Sequence, residues 1–316
     1  MTRCLRDDRP GAREADALAW PRLSIVIPSF NQGGFLGEAL DSLLGQDYPC
    51  LEILVMDGGS TDGTVEVLKA YEPHLAFWHS GPDAGQSDAI NRGFEKSTGE
   101  VLNWLCCDDL LTPGALRRVG GYFRDHPECQ WLAGAAETFY IEQDRRAVNA
   151  PGAAHRRAFQ EFWLWGAPGH VIYQPACFWR RDLWQRGGRL RVDNHLAMDY
   201  ELWLEFSRLA ELHVIEEVLA VSRVHSRCKS GGQRYEQVRQ TMRSAYADAA
   251  RDGVAAPIFT LRLLGGLRRY RAARLRRAAA ERWTGGVCRE LAAMACDLGR
   301  IWTERGRLGA LRYMIG

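Results

Sequence analysis

The stretch Leu23-Ser-Ile-Val-Ile-Pro-Ser-Phe-Asn-Gln32 decides the fold. Its short apolar run, Leu23 to Ile27, stops at Pro28, as a strand buried on both faces would. Phe35, Leu36, Ala39, Leu40, Leu43 and Leu44 then recur at helical spacing. The same alternation repeats downstream. Glu52-Ile-Leu-Val-Met56 is a second strand running into Asp57-Gly-Gly-Ser-Thr-Asp-Gly63, Thr64–Tyr71 a helix, and Ala76–His79 a third strand. Asp88–Lys96 is a further helix, and Val101–Leu105 a fourth strand ending at Asp108 and Asp109. Strands alternating with helices specify an α/β fold with a mainly parallel, Rossmann-like sheet, helices on its flanks and right-handed crossovers. Ligands of such sheets bind beyond the carboxyl ends of the strands. Ser29–Gln32, Asp57–Asp62 and Cys107–Asp109 all fall at those ends and are expected to converge on one cleft.

After Pro113 the pattern turns to helices and mixed strands. A helix is expected from Leu196 to Leu209, and a strand from Val218 to Val224 that runs into His225. Beyond Gly232 the chain reads as helical, with a break near Pro257. The expected organisation is a leader over 1–21, an α/β domain over 22–230 and a helical, basic C-terminal region over 231–316, with the boundary between 230 and 257.

The 316 residues carry a net charge of +2, with 46% hydrophobic and 25% charged residues. That composition excludes a disordered chain and supports a sizeable core. The near-neutral total hides a division. From Pro257 onward there are 13 arginines, no lysine and 4 acidic residues, a net +9, which leaves −7 for residues 1–256. Nine cysteines without C-x-x-C spacing read as reduced thiols, expected of a cytoplasmic protein. The first 20 residues hold no apolar core of a secretory signal. The longest uncharged run, Phe162 to Trp179, is interrupted by Gly166, Pro168, Gly169 and Pro175 and makes a poor membrane span.

Asp108-Asp109 is the most informative pair. Adjacent carboxylates at a strand end repel each other unless a cation sits beside them, and Mg2+ or Mn2+ bound by one or two carboxylates plus substrate phosphates fits that need. The alternative is helix capping near Thr112-Pro113. Asp57 closes a strand before two glycines. A carboxylate there can accept a hydrogen bond from a nucleobase ring N–H, or serve only its own turn. Asp62 reads as a helix cap.

Ser24-Ile-Val-Ile-Pro-Ser-Phe-Asn31, Met56-Asp-Gly-Gly-Ser-Thr-Asp-Gly-Thr64, Ala89-Ile-Asn-Arg-Gly93 and Cys107-Asp-Asp109 together resemble, in order, the signature blocks of family 2 glycosyltransferases. That resemblance implies a GT-A fold and an inverting, metal-dependent transfer from a nucleoside diphosphate sugar to a glycan or lipid-linked acceptor, in surface polysaccharide or glycan biosynthesis. It implies that Pro28, Asn31 and Asp57 hold the nucleotide. The family's D-x-D motif falls on Cys107-Asp108-Asp109, which departs at its first position and implies Asp109 for the metal and Asp108 for the ribose or a second metal contact. Gly58 departs too, since many relatives carry a second aspartate there. Met198-Asp199 resembles the family's base motif and implies that Asp199 deprotonates the acceptor hydroxyl, with helix capping as its alternative. Gln174–Arg180 resembles an acceptor-side segment, where Trp179 or Trp203 can stack on a sugar. Arg223, His225 and Lys229 match basic positions that close over the diphosphate, with His225 also a metal ligand, and Arg92 has a similar place near the phosphates.

Two other readings stay open. A sugar nucleotidyltransferase shares the sheet and the metal but ordinarily carries a basic, Gly-rich loop after strand one, which Pro28–Gly34 lacks. A non-catalytic relative would bind the nucleotide sugar without turning it over. Leu261–Arg277 interleaves leucines and Tyr270 with seven arginines, which suits the surface of an anionic membrane, here its inner face. A solvated helix packed on the domain is the alternative. No nucleic-acid-binding fold accompanies the charge.

Overall fold

The computed structural model describes residues 20–152, 155–160, 172–226, 228–229 and 234–260. Nearly all of the leader and the arginine-rich stretch Leu261–Arg277 therefore lie outside the described residues. β1 (Leu23–Ser29) runs parallel to β2 (Leu51–Asp57) on one side and β4 (Val101–Trp104) on the other, with Leu23 opposite both Leu51 and Val101. β3 (Phe77–Ser80) extends the parallel set beyond β2. Past β4 the sheet changes direction. β8 (Cys177–Arg180) is antiparallel to β4, and β6 (Trp131–Tyr140) to β8. β9 (Leu212–Val224) lies parallel to β6, and β5 (Leu110–Leu111) closes this edge. The order is β3-β2-β1-β4-β8-β6-β9-β5, with β7 (Arg145–Asn149) paired to β6. This is a mixed α/β architecture, as the resemblance implies.

The central strands are apolar throughout because helices cover both faces, and alternate residues enter opposite cores. Leu23, Ile25 and Ile27 of β1 join Ile53 and Val55 of β2 in one cluster. Over it pack α1 (Gly33–Leu44), α2 (Thr64–Tyr71) and α4 (Ala115–Asp125). Val26, Leu54, Met56, Leu102 and Trp104 point to the other face. There α3 (Gln86–Lys96), α6 (Arg181–Gly187) and α7 (Met198–Leu209) pack with Trp131, Trp179 and Phe206. Gly93 lets α3 close on β1, since a Cβ there would stand 2.4 Å from Val26 Cγ1. Trp179 is fully buried in this core, so a sugar-stacking role for it is corrected by its packing.

Several boundaries differ from the sequence expectation, each for a physical reason. β1 continues through Pro28, because its register with β4 ends at Val26 and the missing N–H removes no pairing there. Thr112 caps no helix: its hydroxyl donates to Val218 O at 2.5 Å, and α4 starts at Ala115 after Gly114, whose φ is 75°. α7 starts at Met198, after Ala197, whose φ of −137° is not helical, and the Leu196 N–H donates to Gln240 Oε1 at 3.0 Å. β9 begins six residues before the expected strand, with the exposed Glu216-Glu217 carried where its register with β6 shifts.

α8 (Arg234–Arg251) packs on the same core, burying Met242, Ala245 and Ala249 beside Trp203 and Phe206. Asp248, itself 4% exposed, pairs with Arg156 of α5 (Arg156–Gln160) and with Arg208 of α7. The apolar cluster thus extends past residue 230 into α8. Gly253, with φ of 74°, lies in the break after α8, and Pro257 sits in the first turn of the helical stretch that follows, so the break falls near Pro257 as expected. Six cysteines among the described residues are free thiols, and no helix there is long and apolar enough to cross a membrane.

Candidate active site

Two loops are stitched together at the end of the parallel strands. Asn31 takes a left-handed conformation (φ 52°), donates its N–H to Ser60 Oγ at 2.7 Å and accepts from the Thr61 N–H through Oδ1 at 3.0 Å. Asp62 accepts from the Gly33 N–H at 3.0 Å and from the Thr64 N–H at 3.2 Å, so it ties the loops together one residue ahead of Gly63, the N-cap of α2. The Gly58 N–H donates to Ser29 O at 2.9 Å. Asp57 is 2% exposed, and its oxygens already accept from four donors. These are the N–H groups of Gly59 and Ser60 and the hydroxyls of Ser60 and Ser80.

A third loop carries the acidic pair. Ligand atoms of Cys106, Asp108 and Asp109 all lie within 4.8 Å of one another. Asp109 is buried, and its Oδ1 accepts from the backbone N–H of Arg223 at 3.1 Å. Burial first, and then the charge of Asp108, push its carboxyl up to about 8. Cys107, the residue at the first motif position, faces away: it is fully buried, its thiol pushed up to about 12 by burial, with Sγ donating to Pro28 O at 3.4 Å. Cys106 occupies the cluster instead and accepts from Gln86 Nε2 at 3.2 Å. No sequence signal separated the two adjacent cysteines, because which one faces the cleft depends on the twist of the loop.

β9 braces this loop from below. The Arg223 guanidinium donates to the carbonyls of Cys107 and Asp108 and pairs with Glu38, and it lies 4.9 Å from the centre of the Phe35 ring. Its donors are thus directed at the backbone of the acidic loop and at Glu38. His225 stacks on the other part of Phe35 at 4.8 Å, and its Nε2 stands 3.2 Å from Asp108 Oδ2.

These loops open into a cavity of about 1040 Å³. Pro28 and Arg223 line it from the sheet, Asp108 and Asp109 from their loop, and Asp199, Tyr200 and Trp203 from α7. Asp199 Oδ1 accepts from the Tyr200 N–H at 2.8 Å within the first turn of α7, whose N-cap position is Ala197. Its removal from bulk water raises its carboxyl above the usual range. The cavity also takes in residues the sequence did not single out, among them Asp83, Gln86 and His195. Lys229 reaches it too, donating to Gln86 Oε1 at 2.6 Å, with its ammonium lowered by burial. Arg92 stays on the exposed side of α3, paired with Asp88 at 2.7 Å, and like Asn31 and Asp57 it is not on the cavity wall.

The cluster fits a hard divalent cation. Two carboxylates face each other with one of them buried, and a cation supplies the charge that Asp109 needs in order to ionise. Because Asp109 is raised from an ordinary 3.8 to about 8, the fold favours its protonated form. The resulting stabilisation is complete below about pH 4 and lost as the pH climbs to about 8. The metal-free protein should therefore melt at progressively lower temperature across this window, relative to Asp109→Asn. Stabilisation by Mn2+ should grow over the same range. A Mn2+ effect that stays flat with pH in differential scanning fluorimetry would remove Asp109 from the metal site.

A family model described as glycosyl transferase family 2 matches residues 24–186. An uncharacterised glycosyltransferase of Rickettsia typhi is 26% identical over 65% of this chain and 64% of its own length. A PGL/p-HBAD biosynthesis glycosyltransferase of Mycobacterium bovis is 36% identical over 34% of this chain and 44% of its own. The matched region thus spans less than two thirds of either relative. Among solved structures, S. aureus TarS 1-349 in complex with UDP-GlcNAc superposes with a TM-score of 0.60 at 16% identity, covering 79% of this chain and 72% of that one. The mannosyltransferase PcManGT of Pyrobaculum calidifontis, in complex with GDP-Man and Mn2+, gives 0.55 at 21% identity over 93% and 85%.

Proposed function

The chain belongs to glycosyl transferase family 2, and from that membership we propose that it moves a sugar from a nucleoside diphosphate donor to an acceptor hydroxyl with inversion. The observation that carries the proposal is the single cavity into which the Asp108-Asp109 loop and Asp199 both open. Family alone would leave the chemistry open, since function follows the site. Here the site joins a cation-binding acidic pair to a carboxylate held away from bulk water.

Asp109, with Asp108 and His225 beside it, would hold Mg2+ or Mn2+. When bound, that cation supplies positive charge for the departing diphosphate. Arg223 keeps the carbonyls of Cys107 and Asp108 in place, so the two carboxylates present a fixed array. Lys229 adds a second positive charge on the cavity wall. Asp199 takes the proton from the acceptor hydroxyl as that oxygen attacks the anomeric carbon. Its raised carboxyl makes it a stronger base than an exposed aspartate, and its place at the start of α7 keeps the ionised form accessible.

The UDP-GlcNAc and GDP-Man named with the two structural neighbours support a nucleoside diphosphate sugar as donor. A glycan or lipid-linked acceptor, polysaccharide or glycan biosynthesis and a cytoplasmic setting rest on the family resemblance. The +9 charge over residues 257–316 supports contact with the inner face of a membrane. UDP-, GDP- and dTDP-sugars incubated with the protein and Mn2+ should include one class from which the nucleoside diphosphate is released, with release lost on chelation. Absence of release from all of them, together with pyrophosphate release from a nucleoside triphosphate, would replace this function with nucleotidyl transfer.

A further inference from the structure

We propose that Asp83 is the residue that reads the nucleobase of the donor, which rests on the nucleoside diphosphate donor proposed above. The geometry at Gly58 points to it. Gly58 lines the cavity and has no side chain, and the space a side chain would fill is bounded by two groups. A Cβ at 58 would stand 3.1 Å from Asp83 Oδ2, 3.3 Å from Asp83 Oδ1 and 3.3 Å from Phe30 Cδ2. Phe30 is 63% exposed, although it is a large apolar ring at the cavity wall. A carboxylate and an exposed ring stand close against a bare backbone step on the cavity wall, so a flat heterocycle laid over that step from the cavity side meets both. Aromatic faces stack on any base, so the discrimination must come from the carboxylate.

Asp57 is poorly placed for that task. Its oxygens accept from three donors of its own turn and from Ser80, and it is not on the cavity wall. Asp83 is on the wall. Its Oδ1 accepts from the Gly85 N–H at 2.7 Å, which orients the carboxylate and leaves Oδ2 toward the Gly58 step. Lys229 carries a charge that acts on both Asp83 and Asp108, and its ammonium donates to Gln86 at 2.6 Å, while Asp88, paired with Arg92, accepts from the Ala84 N–H beside Asp83. An acceptor-only group selects a base with a ring N–H, which uracil and guanine have and cytosine and adenine lack at the corresponding edge. Opposite cytosine, Oδ2 would meet the bare N3 lone pair.

Isothermal titration of UDP, GDP, CDP and pyrophosphate, each with Mn2+, tests this in the wild type, Asp83→Asn and Asp57→Asn. The wild type should prefer UDP or GDP over CDP by at least about tenfold, the worth of one hydrogen bond to a charged group. Asp83→Asn keeps the Oδ1 bond to Gly85 but turns Oδ2 into a donor. The variant should lose about tenfold toward the preferred nucleotide and bind CDP more tightly than the wild type does. Its pyrophosphate affinity should stay within about twofold. Gly58→Ala, which presses on the same carboxylate, should weaken the nucleotide but not pyrophosphate. An unchanged base preference in Asp83→Asn overturns the assignment, as does loss of preference in Asp57→Asn alone. Loss of pyrophosphate binding in Asp83→Asn makes the residue a support of the loop and also overturns it. If the wild type binds pyrophosphate but no nucleotide better than another, only the base-reading role of Asp83 falls. If it binds none of the four ligands, the donor proposal falls with it.

Discussion

Asp109→Asn should abolish metal-dependent turnover, by about a thousandfold or more, without loosening the fold. The size follows from the several kcal/mol that a bound cation contributes to a transition state in which a diphosphate departs. The fold should survive because asparagine retains the oxygen that accepts from the Arg223 N–H at 3.1 Å. The native aspartate is moreover a liability to the metal-free protein, since its carboxyl is buried beside Asp108 and resists ionisation. At pH 8 the variant should therefore melt at or above the wild-type temperature while losing the upward shift that Mn2+ gives the wild type. Thermal melts with and without Mn2+, beside donor turnover, separate these effects. Wild-type turnover in the variant would exclude Asp109 as a metal ligand. A lower melting temperature would show instead that the charge supports the fold.

Asp199→Asn should leave donor and Mn2+ binding within about twofold and reduce transfer by about a hundredfold to ten-thousandfold, the range that general base catalysis contributes. Asparagine still accepts from the Tyr200 N–H at 2.8 Å, so the start of α7 is preserved, but it cannot take a proton. The pH profile distinguishes this from a positioning role. Asp199 is raised, so its basic form is lost as the pH falls through the raised value, and wild-type transfer should decline on that acidic limb. The residual activity of the variant should lack the limb. A parallel fall in donor affinity and transfer would assign Asp199 to the architecture of the cavity.

The two aspartates differ in how far the sequence foretold them. Asp108 and Asp109 follow a buried strand, and their repulsion is local, so their need for a cation can be inferred from four or five residues. Asp199 was recognisable only through a motif resemblance and its nearness to a helix start, since nothing local says what lies opposite it. Other expectations met the same division. Asn31 and Asp57 sit in the expected loops at the strand ends, yet their polar atoms are engaged in joining or shaping those loops. Arg223 lines the cavity, and its guanidinium also braces the backbone of Asp108, 115 residues away in sequence. Arg92 lies on the exposed side of α3, because helix periodicity places a residue on a face but does not say what that face meets.

Apolar alternation over a few residues determined which segments became strands and helices, because burial on both faces of a parallel sheet leaves its mark in each strand separately. Turn chemistry likewise determined where the chain opened for a ligand. The side chains that furnish that opening were decided by packing. Cys106 rather than Cys107 joins the acidic pair, Asp83 stands in the space left by Gly58, and α8 closes on the core through Asp248. Each of these contacts joins loops or helices whose approach depends on the twist of the sheet and on how neighbouring helices pack, and no short window of residues encodes either.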